Sequence, residues 1–350
     1  MENVRVQPRT RRTSFDDSPP AGRSETPRFN PKGFSDPGFR KHNQSATAYG
    51  HYLQQDVGAF DTAFFDVTPE EALAMDPQQR LMLEVAYEAF ENAGITMQQL
   101  AGSKTSCIIG SFTSDYREML FRDADAAPRY TVTGTGVSML ANRVSWFFDL
   151  RGPSVALNTA CSSSLVALHL ARRSLQSGEA DIAIVGGTNL MLGSEMFTFF
   201  SNLNFLSRDG LSRSFDASGE GYGRGEGVAA IILKRIDDAV QDHDGIRAVV
   251  RGTATNQDGK TKAITLPSLD AQVDLIRSAY KEAGLSFCDT TYFEAHVSRP
   301  IYCRFDMSQT WSRERALVEA TRSSLKLYQR LCVQIVQQIR RSLLVRSNPM

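Results

Sequence analysis

No apolar run in this 350-residue chain reaches the length of a membrane-spanning helix, which excludes a transmembrane α-helical protein. Nor is there an excess of charge: 39 Lys and Arg balance 39 Asp and Glu, so no overall field favours nucleic acid or an anionic membrane surface. Cysteine is scarce, and the five present (Cys107, Cys161, Cys288, Cys303, Cys332) have neither metal-type nor disulfide-type spacing. An odd number of thiols with no apolar signal segment points to the reducing cytoplasm, with no bound metal or cofactor.

Two further absences are local. No glycine follows Gly284 and no histidine follows His296, although the preceding region is rich in glycine. Beyond Val297 arginine becomes frequent, nine against three acidic residues, a change too abrupt for an ordinary linker. Residues 297–350 therefore read as an unrelated basic tail, of the kind made by translation in another frame or through an intron. Its apolar stripe (Tyr328, Leu331, Ile335, Ile339, Leu343) predicts a helix over Trp311–Leu344, loosely packed because arginine is costly to bury. At the other end, residues 1–27 are rich in Arg, Ser, Pro and Asp and read as a disordered polar segment.

What remains, with 41% apolar residues overall, is enough for a large core. Helical spacing covers Glu70–Ala93, Ser162–Gln176 and Leu269–Ala283, the last two closed by Ser177-Gly178 and Gly284. Strands are predicted at Thr105–Gly110, Ser154–Asn158, Asp181–Gly186 (ending in a Gly186-Gly187 turn), Val228–Leu233, Ala248–Ala254 and Thr291–Glu294. Alternation of this kind implies an α/β layered architecture.

The residue that carries chemistry is Cys161, in the run Asn158-Thr159-Ala160-Cys161-Ser162-Ser163-Ser164-Leu165. A strand–turn–helix places its side chain at a helix N-terminus, where the peptide dipoles favour a thiolate and free N–H groups can hold an oxyanion. The three serines offer hydroxyls to cap that helix. The glycines at 219, 221, 223, 225 and 227 have weak dinucleotide-type spacing, but a strand pattern follows them where a helix is needed, so they read as a tight loop beside the site. Asp216 and Glu226 are candidates to organise that loop. His169 reads as a packing residue, and His42, His51 and His243 have no motif around them.

The Cys161 run resembles the active-site motif of the β-ketoacyl synthases, specifically the ketosynthase domain of fungal-type, reducing polyketide synthases. Asp76-Pro77-Gln78-Gln79-Arg80, Asn142-Arg143-Val144-Ser145, Arg224-Gly225-Glu226-Gly227, Asn256-Gln257-Asp258-Gly259 and Phe293-Glu294-Ala295-His296 resemble further family segments. The resemblance runs over residues 28–296 and implies a thiolase-like fold, its first half largely present and its second half incomplete. It implies that the family's first core strand is missing.

It also implies that Cys161 takes an acyl chain from a phosphopantetheine thioester on a separate acyl carrier protein, and that His296 assists decarboxylation and holds an oxyanion. The partners it implies are that carrier and a second copy in a homodimer, with no nucleic acid and no membrane. The family's threonine-bearing loop after the histidine, its later lysine and its second catalytic histidine have no counterpart here. Full condensation is therefore not expected of this chain. The alternatives are a catalytically dead remnant of a disrupted gene and a non-catalytic dimerisation or binding module.

Overall fold

The computed structural model describes residues 45–47, 49–213, 216, 218–294 and 296, together with the backbone of 4–10 and 23–24. The expectations for the basic tail lie outside the described residues. In chain order the elements begin with strands β1 (Val4–Thr10), β2 (Arg23–Ser24) and β3 (Gly50–His51), then helices α1 (Pro69–Ala74), α2 (Pro77–Ala93) and α3 (Met97–Leu100). Next come β4 (Thr105–Ser111), α4 (Asp115–Leu120), α5 (Thr131–Thr135), α6 (Met139–Phe147), β5 (Ser154–Leu157), α7 (Ser163–Gln176) and β6 (Ile182–Asn189). The last are α8 (Glu195–Asn202), β7 (Gly227–Lys234), α9 (Ile236–Gln241), β8 (Ala248–Val250), α10 (Leu269–Ala283) and a 3-10 turn at Phe287–Asp289.

Six strands form one mixed sheet in the order β5-β4-β6-β7-β1-β8, and β2 pairs separately with β3. Strands β5, β4 and β6 run parallel, and β7 turns antiparallel to β6. Helix α2 covers one face: Leu81, Met82, Val85, Ala86, Ala89 and Phe90 pack with Cys107, Ile109, Ile184 and Ile232 of the sheet. Helix α7 covers the other, with Ala167, Ala171 and Leu175 against Ile108, Ala183, Val185 and Leu233. The order helix–sheet–helix is the layered arrangement expected.

Five elements differ from the sequence reading. The slot expected to lack a strand is filled by β1, which lies antiparallel to both β7 (Gln7↔Ile232, Thr10↔Ala229) and β8 (Val4↔Val250). Residues 1–27 therefore contain a sheet strand. An open slot would leave two rows of backbone donors and acceptors unpaired, and seven extended residues suffice to satisfy them. β8 stops at Val250, well short of Ala254, because its partner begins at Val4.

The helix read over Glu70–Ala93 is two helices. Pro77 disfavours helical geometry at Asp76 and brings no N–H, so Asp76 instead caps α2, its Oδ1 accepting from Gln78 N at 2.9 Å. Leu73, an apolar residue of the first of them, is exposed. Gly186-Gly187 is not a turn but lies within β6. A Cβ on Gly186 would sit 2.6 Å from Ile109 Cδ1, and one on Gly187 3.0 Å from Ser164 Cβ. These glycines let α2 and α7 press on opposite faces of the sheet. Residues 291–294 form no strand, since no neighbouring strand among the described residues offers them a ladder.

Two of the motif segments are internal struts. Gln78 donates from Nε2 to Thr113 O at 2.9 Å and accepts from Thr188 Oγ1 at 3.2 Å. Gln79 accepts from Arg143 Nε at 3.1 Å, and the buried Arg143 pairs with Glu71 at 2.7 Å. Asp76 is buried beside them, and burial pushes its carboxyl up from the ordinary 3.8 to about 6, against the hydrogen bonds from Gln78. The folded chain thus holds this proton more tightly than the unfolded one. The stability so gained is complete below about pH 4 and lost as the pH rises through about 6. Asp76→Asn keeps the cap acceptor and removes the buried charge. Urea denaturation should show it near wild type at pH 4 and more stable at pH 8, by up to about 3 kcal/mol. Equal stabilities at both pH values would contradict this.

Candidate active site

The site is assembled where β5 passes into α7. Between them, Ala160 holds a left-handed backbone (φ 54°), which turns the chain sharply so that Cys161 emerges at the start of the helix. Gly110 on β4 makes the approach possible, because a Cβ there would lie 2.6 Å from Ser163 C. The serines do not cap α7 as expected. Ser162, at the cap position, makes no side-chain cap bond; its Oγ donates to Thr159 O at 2.8 Å. Ser163 Oγ accepts from Thr159 N at 2.9 Å and donates to Ala160 O at 2.6 Å. The hydroxyls fasten the turn and leave N–H groups of the helix start turned toward the sulfur.

The Cys161 thiol is held below its ordinary value, first by a hydrogen bond with His296 and then by the charge of His296 and the N–H groups of Cys161 and Ser162, against the opposing effect of burial. His296 is correspondingly raised by its bond to Cys161, again against burial. The structure therefore brings together the two residues singled out from the sequence, 135 positions apart, as a coupled thiol–imidazole pair. Cys107 behaves oppositely: it is buried in β4, and burial pushes its thiol up to about 12. Cys288 is exposed on the 3-10 turn.

A cavity of about 1130 Å³ opens over the pair, lined among others by Phe112, Leu165, Phe200, Phe205 and Tyr222. Leu165 and Leu170 of α7 are exposed, so the outer face of this helix is uncovered among the described residues. The glycine-rich segment forms one wall and leads into β7, with no helix after it. A Cβ on Gly223 would lie 1.8 Å from Gly210 O, and one on Gly221 2.4 Å from Leu206 C, so the loop can be packed only with glycine. Glu226 organises it, accepting from Met191 N at 2.9 Å and Leu53 N at 3.0 Å. Asp216 accepts from Ser218 N and Oγ at 2.8 Å, a local turn only.

Several residues in or around the site were given no role of their own by the sequence. Asn189 donates to Gly225 O at 2.6 Å and accepts from Thr113 Oγ1 at 3.0 Å, joining the cavity wall to the Gln78 strut. Arg224 is buried with its guanidinium 4.6 Å from the Phe197 ring centre. His51, given no role, bonds through Nε2 to Gly210 O at 3.0 Å and exchanges backbone bonds with the loop. These groups come from separate elements, so no local spacing announces them. His169 does pack as expected, its Nδ1 2.9 Å from Thr253 Oγ1, beside an Arg172–Glu282 pair that ties α10 to α7. Among the described residues there is no cluster of three or more His, Cys, Asp or Glu able to hold a metal, and no helix long and apolar enough to cross a membrane.

Comparison with known proteins matches residues 18–239 to the family described as beta-ketoacyl synthase, N-terminal domain, and 247–298 to its C-terminal domain. The match thus begins ten residues before the boundary read at residue 28. A highly reducing polyketide synthase of Didymella fabae is 92% identical over 276 residues, which are 79% of this chain and 15% of that protein. The partially reducing polyketide synthase tpeA of Talaromyces stipitatus is 57% identical over 77% of this chain and 11% of its own length. The chain therefore spans about one seventh or less of these two relatives. Among solved structures, an oxazolomycin ketosynthase domain of Streptomyces albus JA3453 superposes with a TM-score of 0.74 at 34% identity, over 85% of this chain and 54% of that one. A ketosynthase from module 6 of the bacillaene synthase of Bacillus subtilis 168 gives 0.62 at 39% identity, over 67% of this chain and 40% of that one.

Proposed function

This chain belongs to the β-ketoacyl synthase family, and from that premise we propose that it is the acyl-accepting part of a ketosynthase domain of a reducing polyketide synthase. The observation that carries the proposal is the placing of Cys161, at the start of α7, and His296 on the wall of one cavity large enough for an acyl chain, with the imidazole lowering the thiol. The Cys161 thiolate attacks the carbonyl carbon of a thioester carried on the phosphopantetheine of an acyl carrier protein. The carbonyl electron pair moves to oxygen, and the N–H groups at the helix start stabilise that oxyanion. Collapse re-forms the carbonyl and breaks the bond to the pantetheine sulfur, which leaves as a thiol with the proton held by His296. No metal or bound cofactor takes part. We place the protein in the cytoplasm, as a homodimer working with a separate carrier.

In the intact family the acyl-enzyme then condenses with a decarboxylated extender, a step assisted by two histidines. This sequence has His296 and none after it. Given an acyl thioester and a malonyl carrier, the chain should retain the acyl group and release negligible β-ketoacyl product. Product formed at the rate of an intact ketosynthase, and lost in Cys161→Ala, would contradict this reading.

A further inference from the structure

The turn that presents Cys161 is strained and then fastened by side chains that do not touch the sulfur. Ala160 sits at φ 54°, a region that costs a residue with a Cβ about 1–2 kcal/mol. Such a conformation persists only where its surroundings over-determine it. Here Asn158 Oδ1 accepts from Ala160 N at 2.9 Å, and Ser163 Oγ bonds to the backbone on both sides of the turn, accepting from Thr159 N and donating to Ala160 O. Ser163 is buried at 4% exposure, so water does not replace those bonds. Asn158 is exposed, and its Nδ2 lies 3.5 Å from Phe112 O on the neighbouring strand end.

We infer that Ser163 and Asn158 are positioning residues: together they hold Ala160 in its left-handed state and so fix the Cys161 sulfur against His296 and the N–H groups of the helix start. The inference rests on the reading of Cys161 as the acyl acceptor. If the bonds are lost, the turn relaxes toward ordinary backbone, the sulfur moves off its partners and the thiolate is less favoured. Ser163 thereby sets the reactivity of Cys161 through the backbone it fastens.

The test is the pH dependence of Cys161 alkylation by iodoacetamide in the full chain, with Cys288 as internal reference. Ser163→Ala should slow labelling at pH 7 by about tenfold, the weight of one or two neutral hydrogen bonds, and move the labelling midpoint upward. Adding Ala160→Gly to Ser163→Ala should restore much of the rate, because glycine takes φ 54° without penalty. Asn158→Ala, at an exposed position that folding tolerates, should shift the midpoint in the same direction and serves if Ser163→Ala does not fold. An unchanged midpoint in a folded variant, with or without lower stability, overturns the positioning role alone. If the unaltered chain labels Cys161 no faster than Cys288, the acyl-acceptor reading falls, and this inference with it.

Discussion

His296→Ala is expected to slow alkylation of Cys161 at pH 7 by about ten- to a hundred-fold, the range associated with removing one close opposite charge from a titrating group. The imidazole lowers the thiol from its ordinary 9.0 through a hydrogen bond first and its charge second, and the thiol raises the imidazole in return. The two shifts run toward each other because the charged form of each group favours the charged form of the other, so the imidazole makes the thiolate easier to form. The wild-type rate should therefore rise at lower pH than that of an ordinary thiol. In His296→Ala the rise should move up toward the ordinary value, but not fully, because the N–H groups of Cys161 and Ser162 remain. A rate–pH curve that coincides with wild type would mean that His296 does not act on the sulfur.

Gly134→Ala should destabilise the fold by about 3 kcal/mol or more, at the upper end of overpacking costs. The position lies on α5, where the chain crosses the break between α1 and α2. A Cβ there would stand 2.1 Å from Ala74 O and 2.4 Å from Ala74 C, both backbone atoms that no rotamer change can move aside. The same contact fixes Asp76, whose N–H donates to Gly134 O at 2.8 Å. Relieving the clash breaks that bond and loosens the start of α2, the helix that covers one face of the sheet. Gly227→Ala is the control, since nothing lies within 4 Å of its added Cβ. Denaturant midpoints should fall sharply for the first and stay within about 0.5 kcal/mol of wild type for the second. Similar midpoints for the two variants would contradict the packing described at the α1–α2 break.

The parts of this fold that announce themselves in the sequence are those whose causes are local. α10 is read to the residue because Ser268 caps it, accepting from Ala271 N, and Gly284 ends it at φ 65°. α7 is read within one residue from its apolar spacing and from Gly178 just past its end, at φ 73°. The errors come where a neighbour decides. β1 is a strand because β7 and β8 leave a slot between them, and its Arg, Gln and Pro give no sign of it. Gly186-Gly187 looks like a turn to local rules, yet the glycines are there because Met82, Ile109 and Ser164 come too close for a side chain. In the site, Cys161 and His296 stand out because their surroundings are specific. Phe112, Asn189 and Phe200 become visible only when three separate segments converge on the cavity. The serines show the same division: their presence at the turn is legible, but whether a hydroxyl caps the helix or fastens the turn depends on the φ of Ala160.

The most direct measurement is the location of an acyl group after the full chain meets a short acyl-pantetheine thioester. Peptide mapping by mass spectrometry should find the acyl group on the peptide containing Cys161, at up to one per chain, and none there in Cys161→Ala. Cys107 should stay unlabelled because its thiol is buried and raised to about 12. An acyl group spread over all five cysteines, or concentrated on Cys303 or Cys332, would contradict the assignment of Cys161 as the acyl acceptor.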